Sequence, residues 1–132
     1  MTIAVATSIT SQRPLDLQSF PVFTPDPAVL SDQLIVGLDS RDSRSRAFNL
    51  LRTTLAKRMK EKGHRLIGVT SATPSAGKSF LSLNLAASLS RVTDDDVLLV
   101  DLDLRRASIA AGVGMQVKRG VGDFLNNDGE PR

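Results

Sequence analysis

The stretch Ala72-Thr-Pro-Ser-Ala-Gly77-Lys78-Ser79 ends in a glycine, a lysine and a hydroxyl in direct succession. That order suits a phosphate chain. Backbone N–H groups from Ala76 to Phe80 meet at a helix entrance, where the dipole is positive and four donors lack intrahelical partners. Gly77 lets a ligand approach the backbone closely. Lys78 supplies a mobile cation for the β- and γ-phosphates, and the Ser79 hydroxyl is placed to ligate Mg2+. Phe80 offers its N–H and no hydroxyl. Ser75, Ala76, Gly77, Lys78, Ser79 and Phe80 are therefore the candidate cofactor-binding residues, with Lys78 also catalytic. The Walker A pattern G-x-x-x-x-G-K-[ST] is met except that Ala72 stands at its first glycine. The bland alternative is a small-residue turn followed by a helix that happens to open on lysine.

A second group of functional residue types lies downstream. Val97–Arg105 reads VLLVDLDLR, with Asp101 and Asp103 at the end of an apolar run. Near a magnesium nucleotide a carboxylate can hold the metal or accept a proton from an attacking hydroxyl. Asp101 is the candidate metal residue beside Ser79, and either aspartate could take the proton. The bland alternative is that both cap a turn, with Arg105 and Arg106 as counter-ions.

These residues need elements to position them. Arg65–Ser71 reads as a short strand, apolar and β-branched at its centre. Ala72–Gly77 is a loop. Lys78–Ser90 is a helix apolar nearly all round, which predicts burial on more than one side. Arg91–Asp96 is a polar loop, with Asp94–Asp96 read as solvated. Val97–Asp101 is a continuous apolar run of the kind found in strands covered on both faces. The order strand, helix, strand predicts a right-handed crossover joining two parallel strands, with the loop and Asp101 at one sheet edge.

Upstream, Phe48, Leu51, Leu55 and Met59 mark one face of a helix over about 42–62. Asp42 or Ser43 could cap it, and Gly63 stops it. Its many Arg and Lys read as a solvated face, with a basic docking surface as the alternative. His64 follows the helix end, where a cation is favourable. Residues 1–40 read as a disordered or extended tail punctuated by Pro14, Pro21, Pro25 and Pro27, with a short docked segment at Leu34–Leu38.

Composition sets outer limits. The chain has 132 residues, enough for one domain, a formal net charge of +3 and no cysteine. Disulfides and thiolate metal sites are excluded. No apolar run approaches the ~20 residues of a membrane span, and the N-terminus lacks the features of a secretory signal. Five Phe but no Trp or Tyr argue against base-stacking platforms, and no specific nucleic acid is expected.

SATPSAGKS and VLLVDLDLRR together resemble the Walker A and Walker A′ motifs of bacterial tyrosine kinases of the capsule and exopolysaccharide type. SRAFNLLRT (Ser45–Thr53) resembles the segment before the phosphate loop in that family. GVGDFL (Gly120–Leu125) resembles a later stretch of it. The resemblance implies ATP and Mg2+ as cofactors. It implies a membrane polysaccharide co-polymerase as partner, and a cytoplasmic protein recruited by that partner to the inner face of the membrane. A homo-oligomer stays open. By carry-over Lys78 binds phosphates, Ser79 and Asp101 organise Mg2+, and Asp101 or Asp103 assists deprotonation of the acceptor.

Three departures accompany it. No later apolar run ends in an aspartate, and the chain contains no tyrosine to phosphorylate. The family's Glu-x-x-Arg-x-x-Arg helix motif falls here on Arg46, Asn49 and Arg52.

The expected fold class is α/β, a P-loop NTPase-like parallel sheet with flanking helices, incomplete at the C-terminus. Two strands and two helices would leave such a sheet poorly covered. Residues 41–132 would then be the N-terminal part of a P-loop ATPase or kinase domain. Two other readings stand beside the kinase. One is a partitioning or division-site ATPase, against which Thr73 stands where an extra lysine is expected. The other is a non-catalytic nucleotide-sensing module for a membrane partner.

Overall fold

The computed structural model describes residues 2–7, 21–92 and 96–126, with the backbone alone for 2–7 and Phe124. The elements in chain order are β1 (Thr2–Thr7), α1 (Pro27–Asp32), a 3-10 turn (Ser43–Ser45), α2 (Arg46–Lys62), β2 (Leu66–Thr70), α3 (Lys78–Ser90), β3 (Val97–Asp101), α4 (Ile109–Gly112) and α5 (Val121–Leu125).

The parallel sheet expected from the strand–helix–strand pattern does not form, and with it falls the P-loop NTPase-like architecture. β1 lies between β2 and β3 and is antiparallel to both. Ile3 pairs with Val69 on one side and Asp101 on the other, and Val5 pairs with Ile67 and Leu99. Thr2–Thr7 places β-branched residues at 2, 3, 5 and 7, which favours an extended strand. An antiparallel neighbour gives each flanking strand a ladder slightly more stable per residue than a parallel one. β2 and β3 still run in the same direction, since each opposes β1. They are joined through α3 but do not pair.

α3 is the centre of the packing. Leu85, Ala86 and Leu89 form the buried core, against Ile67, Val97 and Leu99 of the sheet and Leu51 and Leu55 of α2. The predicted face of α2 is the one used: Met59 is buried and Phe48, Leu51 and Leu55 are half-buried. Asp42 caps the 3-10 turn before it, accepting the Arg44 N–H at 2.8 Å. Gly63 ends α2 in the left-handed region at φ 66°, as a helix stop requires.

The segment Leu34–Leu38 docks on α3, with Ile35 and Val36 buried. Asn84, fully buried, is the clip. Its Oδ1 accepts the N–H groups of Val36 at 2.8 Å and Gly37 at 2.9 Å. Its Nδ2 donates to the carbonyls of Leu34 at 3.2 Å and Phe80 at 3.1 Å. All four hydrogen-bonding positions of the amide are thus used, which is what lets it sit in the interior. The approach is close: a Cβ on Gly37 would stand 2.3 Å from the Asn84 carbonyl oxygen.

Candidate functional site

The loop after β2 turns through two left-handed residues, Ser75 at φ 55° and Gly77 at φ 84°. Glycine suits position 77 because of that φ alone, since a Cβ there would meet no atom within 4 Å. The protein itself does not crowd the position. Immediately afterwards α3 begins, and its N-terminus has no side-chain cap. The first turn therefore presents N–H donors and the positive end of the helix dipole.

Lys78 is 8% exposed, and its ammonium group donates to Ser71 Oγ at 2.8 Å. Ser71 Oγ in turn donates to the Thr73 carbonyl at 2.7 Å. The lysine is thus folded back along its own loop. Ser79 Oγ lies 2.6 Å from Ser108 Oγ. Phe80 is partly exposed and packs edge-on against Phe48, ring centroids 5.6 Å apart.

A cleft of about 650 Å3 opens at this helix end, lined by Ser75 to Phe80 on one side and by Asp103, Arg105, Arg106 and Ser108. Asp103 is 5% exposed and accepts the Arg106 N–H at 3.1 Å. Asp101 does not line the cleft. Its Oδ2 accepts the N–H groups of Ser108 at 2.9 Å and Ile109 at 3.1 Å, and its Oδ1 accepts that of Asp103 at 3.0 Å. It caps the start of α4, the role a bland reading assigned to the pair. The arginines are not its counter-ions: among the described residues neither Arg105 nor Arg106 forms an ion pair with Asp101 or Asp103.

Sequence reasoning therefore assembled most of the cleft and missed two hydroxyls. Ser71 anchors Lys78, and Ser108 joins Ser79 to Asp101. Neither carries a motif, because each acts through a contact made only after folding. Of the remaining candidates, His64 is exposed, with its N–H on the Met59 carbonyl at 2.9 Å. Asp94 and Asp95 lie outside the described residues, and Asp96 is exposed.

The donor set fits a magnesium nucleotide. Phosphate needs N–H donors and a cation, which the uncapped α3 end and Lys78 provide. Among the described residues no group of three or more His, Asp or Glu forms a cage. Mg2+ does not need one, since it is commonly held by one or two carboxylates together with phosphates and water. Ser79 and Asp103 border the same cleft. Asp101 Oδ1 accepts one bond and keeps a lone pair.

Comparison with known proteins gives a consistent set of relatives. Over 78 residues the chain is 41% identical to EpsB of Ralstonia nicotianae, covering 59% of this chain and 10% of that protein. It is 36% identical over 84 residues to the tyrosine-protein kinase etk of Escherichia coli, 64% of this chain and 11% of the relative. It is 34% identical over 98 residues to the tyrosine-protein kinase wzc of Salmonella typhimurium, 74% of this chain and 14% of the relative. The chain belongs to the bacterial tyrosine kinase family. That family is linked to exopolysaccharide and capsule biosynthesis. This member spans 10 to 14% of the length of these relatives. No family model matches it. No solved structure matches it either.

Two features of the chain bear on its place in the bacterial tyrosine kinase family. Arg52, the one residue that matches the Glu-x-x-Arg-x-x-Arg pattern, is turned inward: it donates to Asn49 Oδ1 at 3.1 Å and to the Ser88 carbonyl at 3.4 Å. Among the described residues no helix is long and apolar enough to cross a membrane.

Proposed function

We propose that residues 71–80 bind the phosphate chain of ATP, as the nucleotide-binding part of a tyrosine-kinase-like protein in polysaccharide biosynthesis and export. The observation that carries this reading is the uncapped N-terminus of α3, with Gly77 in the left-handed region, opening on a cleft that also holds Lys78 and Asp103. The N–H groups from Ala76 to Phe80 would bind phosphate oxygens. Lys78 would leave Ser71 and swing to the terminal phosphates, a movement that exchanges a neutral hydroxyl acceptor for an anionic one. Mg2+, when bound with the nucleotide, neutralises charge that develops on the phosphates. Ser79, on the cleft wall, would hold it, and Asp103, which lines the same cleft, would receive a proton from an acceptor hydroxyl. The names of the relatives favour tyrosine as that acceptor, and the family resemblance favours a membrane polysaccharide co-polymerase as partner.

A second reading is a sensing module that binds nucleotide without transferring phosphate. It is favoured by Asp101, whose carboxylate is already engaged by three backbone N–H groups.

Calorimetric titration of Mg-ATP into the chain and into Lys78→Ala, both checked for folding by circular dichroism, tests the site. Binding by the parent and its loss in the variant is the expected result. A folded parent that binds no Mg-ATP overturns both readings. Phosphate transfer to a tyrosine peptide by the parent, abolished by Asp103→Asn, separates the kinase from the sensor.

A further inference from the structure

The cleft carries more positive charge than the α3 end alone supplies. Lys78, Arg105 and Arg106 all line it, against Asp103 as its single carboxylate. The two arginines sit on the turn between β3 and α4, two and three residues after Asp103. Asp103 fixes that turn. Its Oδ1 accepts the Arg106 N–H at 3.1 Å, and its carbonyl accepts the same N–H at 3.1 Å.

The guanidinium groups themselves are left over. Asp103 pairs with neither, and among the described residues no other side chain or carbonyl takes a hydrogen bond from them. Both arginines are exposed, and exposure alone says nothing of function, since most arginines are exposed. Their position is what counts. They border a cleft whose other side is an uncapped helix N-terminus followed by a lysine. An anion anchored on that side and long enough to cross the cleft meets them.

We propose that Arg105 and Arg106 grip the terminal phosphate of the nucleotide and make the site select a nucleoside triphosphate over a diphosphate. This inference rests on the nucleotide reading of the cleft. Asp103, as the group that receives the acceptor's proton, must adjoin the phosphate under attack. Both arginines stand on the turn that Asp103 holds, so that phosphate is the one within their reach. A guanidinium presents paired N–H donors that match two phosphate oxygens. The phosphates nearer the sugar stay on the N–H groups at the start of α3, and these ATP and ADP share.

The test is calorimetric titration of Mg-ATP and Mg-ADP into the full chain and into a variant carrying Arg105→Gln and Arg106→Gln. The circular dichroism spectrum should not change, because both side chains are exposed and the Arg106 N–H that Asp103 holds belongs to the backbone. The parent is expected to bind Mg-ATP more tightly than Mg-ADP. The variant should lose more than about tenfold in Mg-ATP affinity, the worth of a hydrogen bond to a charged group, and keep its Mg-ADP affinity within about threefold. A parent that binds neither nucleotide overturns the nucleotide reading itself. A parent that binds both, with an ATP preference that the folded variant retains, overturns this inference alone. So does an equal fall in affinity for ATP and ADP. An acidic tyrosine peptide that the parent binds and the variant does not, with the ATP preference intact, would assign the arginines to the acceptor and overturn it too.

Discussion

Asp101 accepts three hydrogen bonds, two on Oδ2 from the N–H groups of Ser108 and Ile109 at the start of α4 and one on Oδ1 from Asp103. An amide in its place could not accept at the position its nitrogen occupies. Asp101→Asn is therefore expected to leave at least one N–H unpaired and to cost about 1–3 kcal/mol, read from urea unfolding. Gly77 presents a different case. Gly77→Ala meets no neighbour, but its φ of 84° lies where a Cβ is unfavourable. A loss of about 1–2 kcal/mol is expected from conformation alone, measured by the same unfolding curve. Exposure at the loop makes a larger loss unexpected. The types and spacing of Gly77, Lys78 and Ser79 were legible in the chain because they are consecutive. The contacts that hold Lys78 on Ser71 and Ser79 on Ser108 were not, the second because its partners lie 29 residues apart.

At the scale of elements, α3 serves two purposes. Its first turn opens on the cleft, and its middle anchors the Leu34–Leu38 segment through Asn84. Asn84→Leu would strip two buried N–H groups of their acceptor. A destabilisation of about 2–6 kcal/mol follows from that loss, and limited proteolysis should then cut between Leu34 and Leu38, which the parent protects. Gly37→Ala tests the same contact from the other side: a Cβ 2.3 Å from a backbone oxygen must push the segment away, at about 1–3 kcal/mol. At the N-terminus of α2, the Arg44 side chain hydrogen bond holds the Asp42 carboxyl below its ordinary range, helped by the Arg44 N–H. A depressed carboxylate stabilises above its unfolded pKa of ~3.9 and loses that contribution as pH falls further. The Arg44 amide should therefore lose its protection, relative to an unstructured amide at the same pH, as the pH falls below that value, as seen by NMR. The boundaries of α2 and α3 were readable because their apolar spacing, Gly63 and Gly77 are local signals. Asn84 was not, since a polar residue within an apolar helix carries no sign of the segment it will clip.

For the whole molecule, the sheet depends on its middle strand. β1 provides every ladder bond that joins β2 to β3. Deleting residues 1–7 would leave two strands that do not pair, each with an open edge. The shortened chain is expected to lose its cooperative thermal transition while keeping helical signal from α2 and α3, as circular dichroism would report.

The sequence by itself determined the local elements from Asp42 to Asp101 and the run of small residues, lysine and hydroxyl that opens α3. Those follow from periodicity, from helix stop signals and from residues adjacent in the chain. Only the tertiary structure decided the sheet. Strand pairing is a choice among edges distant in the chain, and VLLVD or LIGVT can pair in either direction. The competitor that won, Thr2–Thr7, starts 64 residues before the strand it joins. Tertiary packing also decided the work of Asp101, because a carboxylate at a strand end serves whichever donors the fold brings nearest, and here these are the N–H groups of α4.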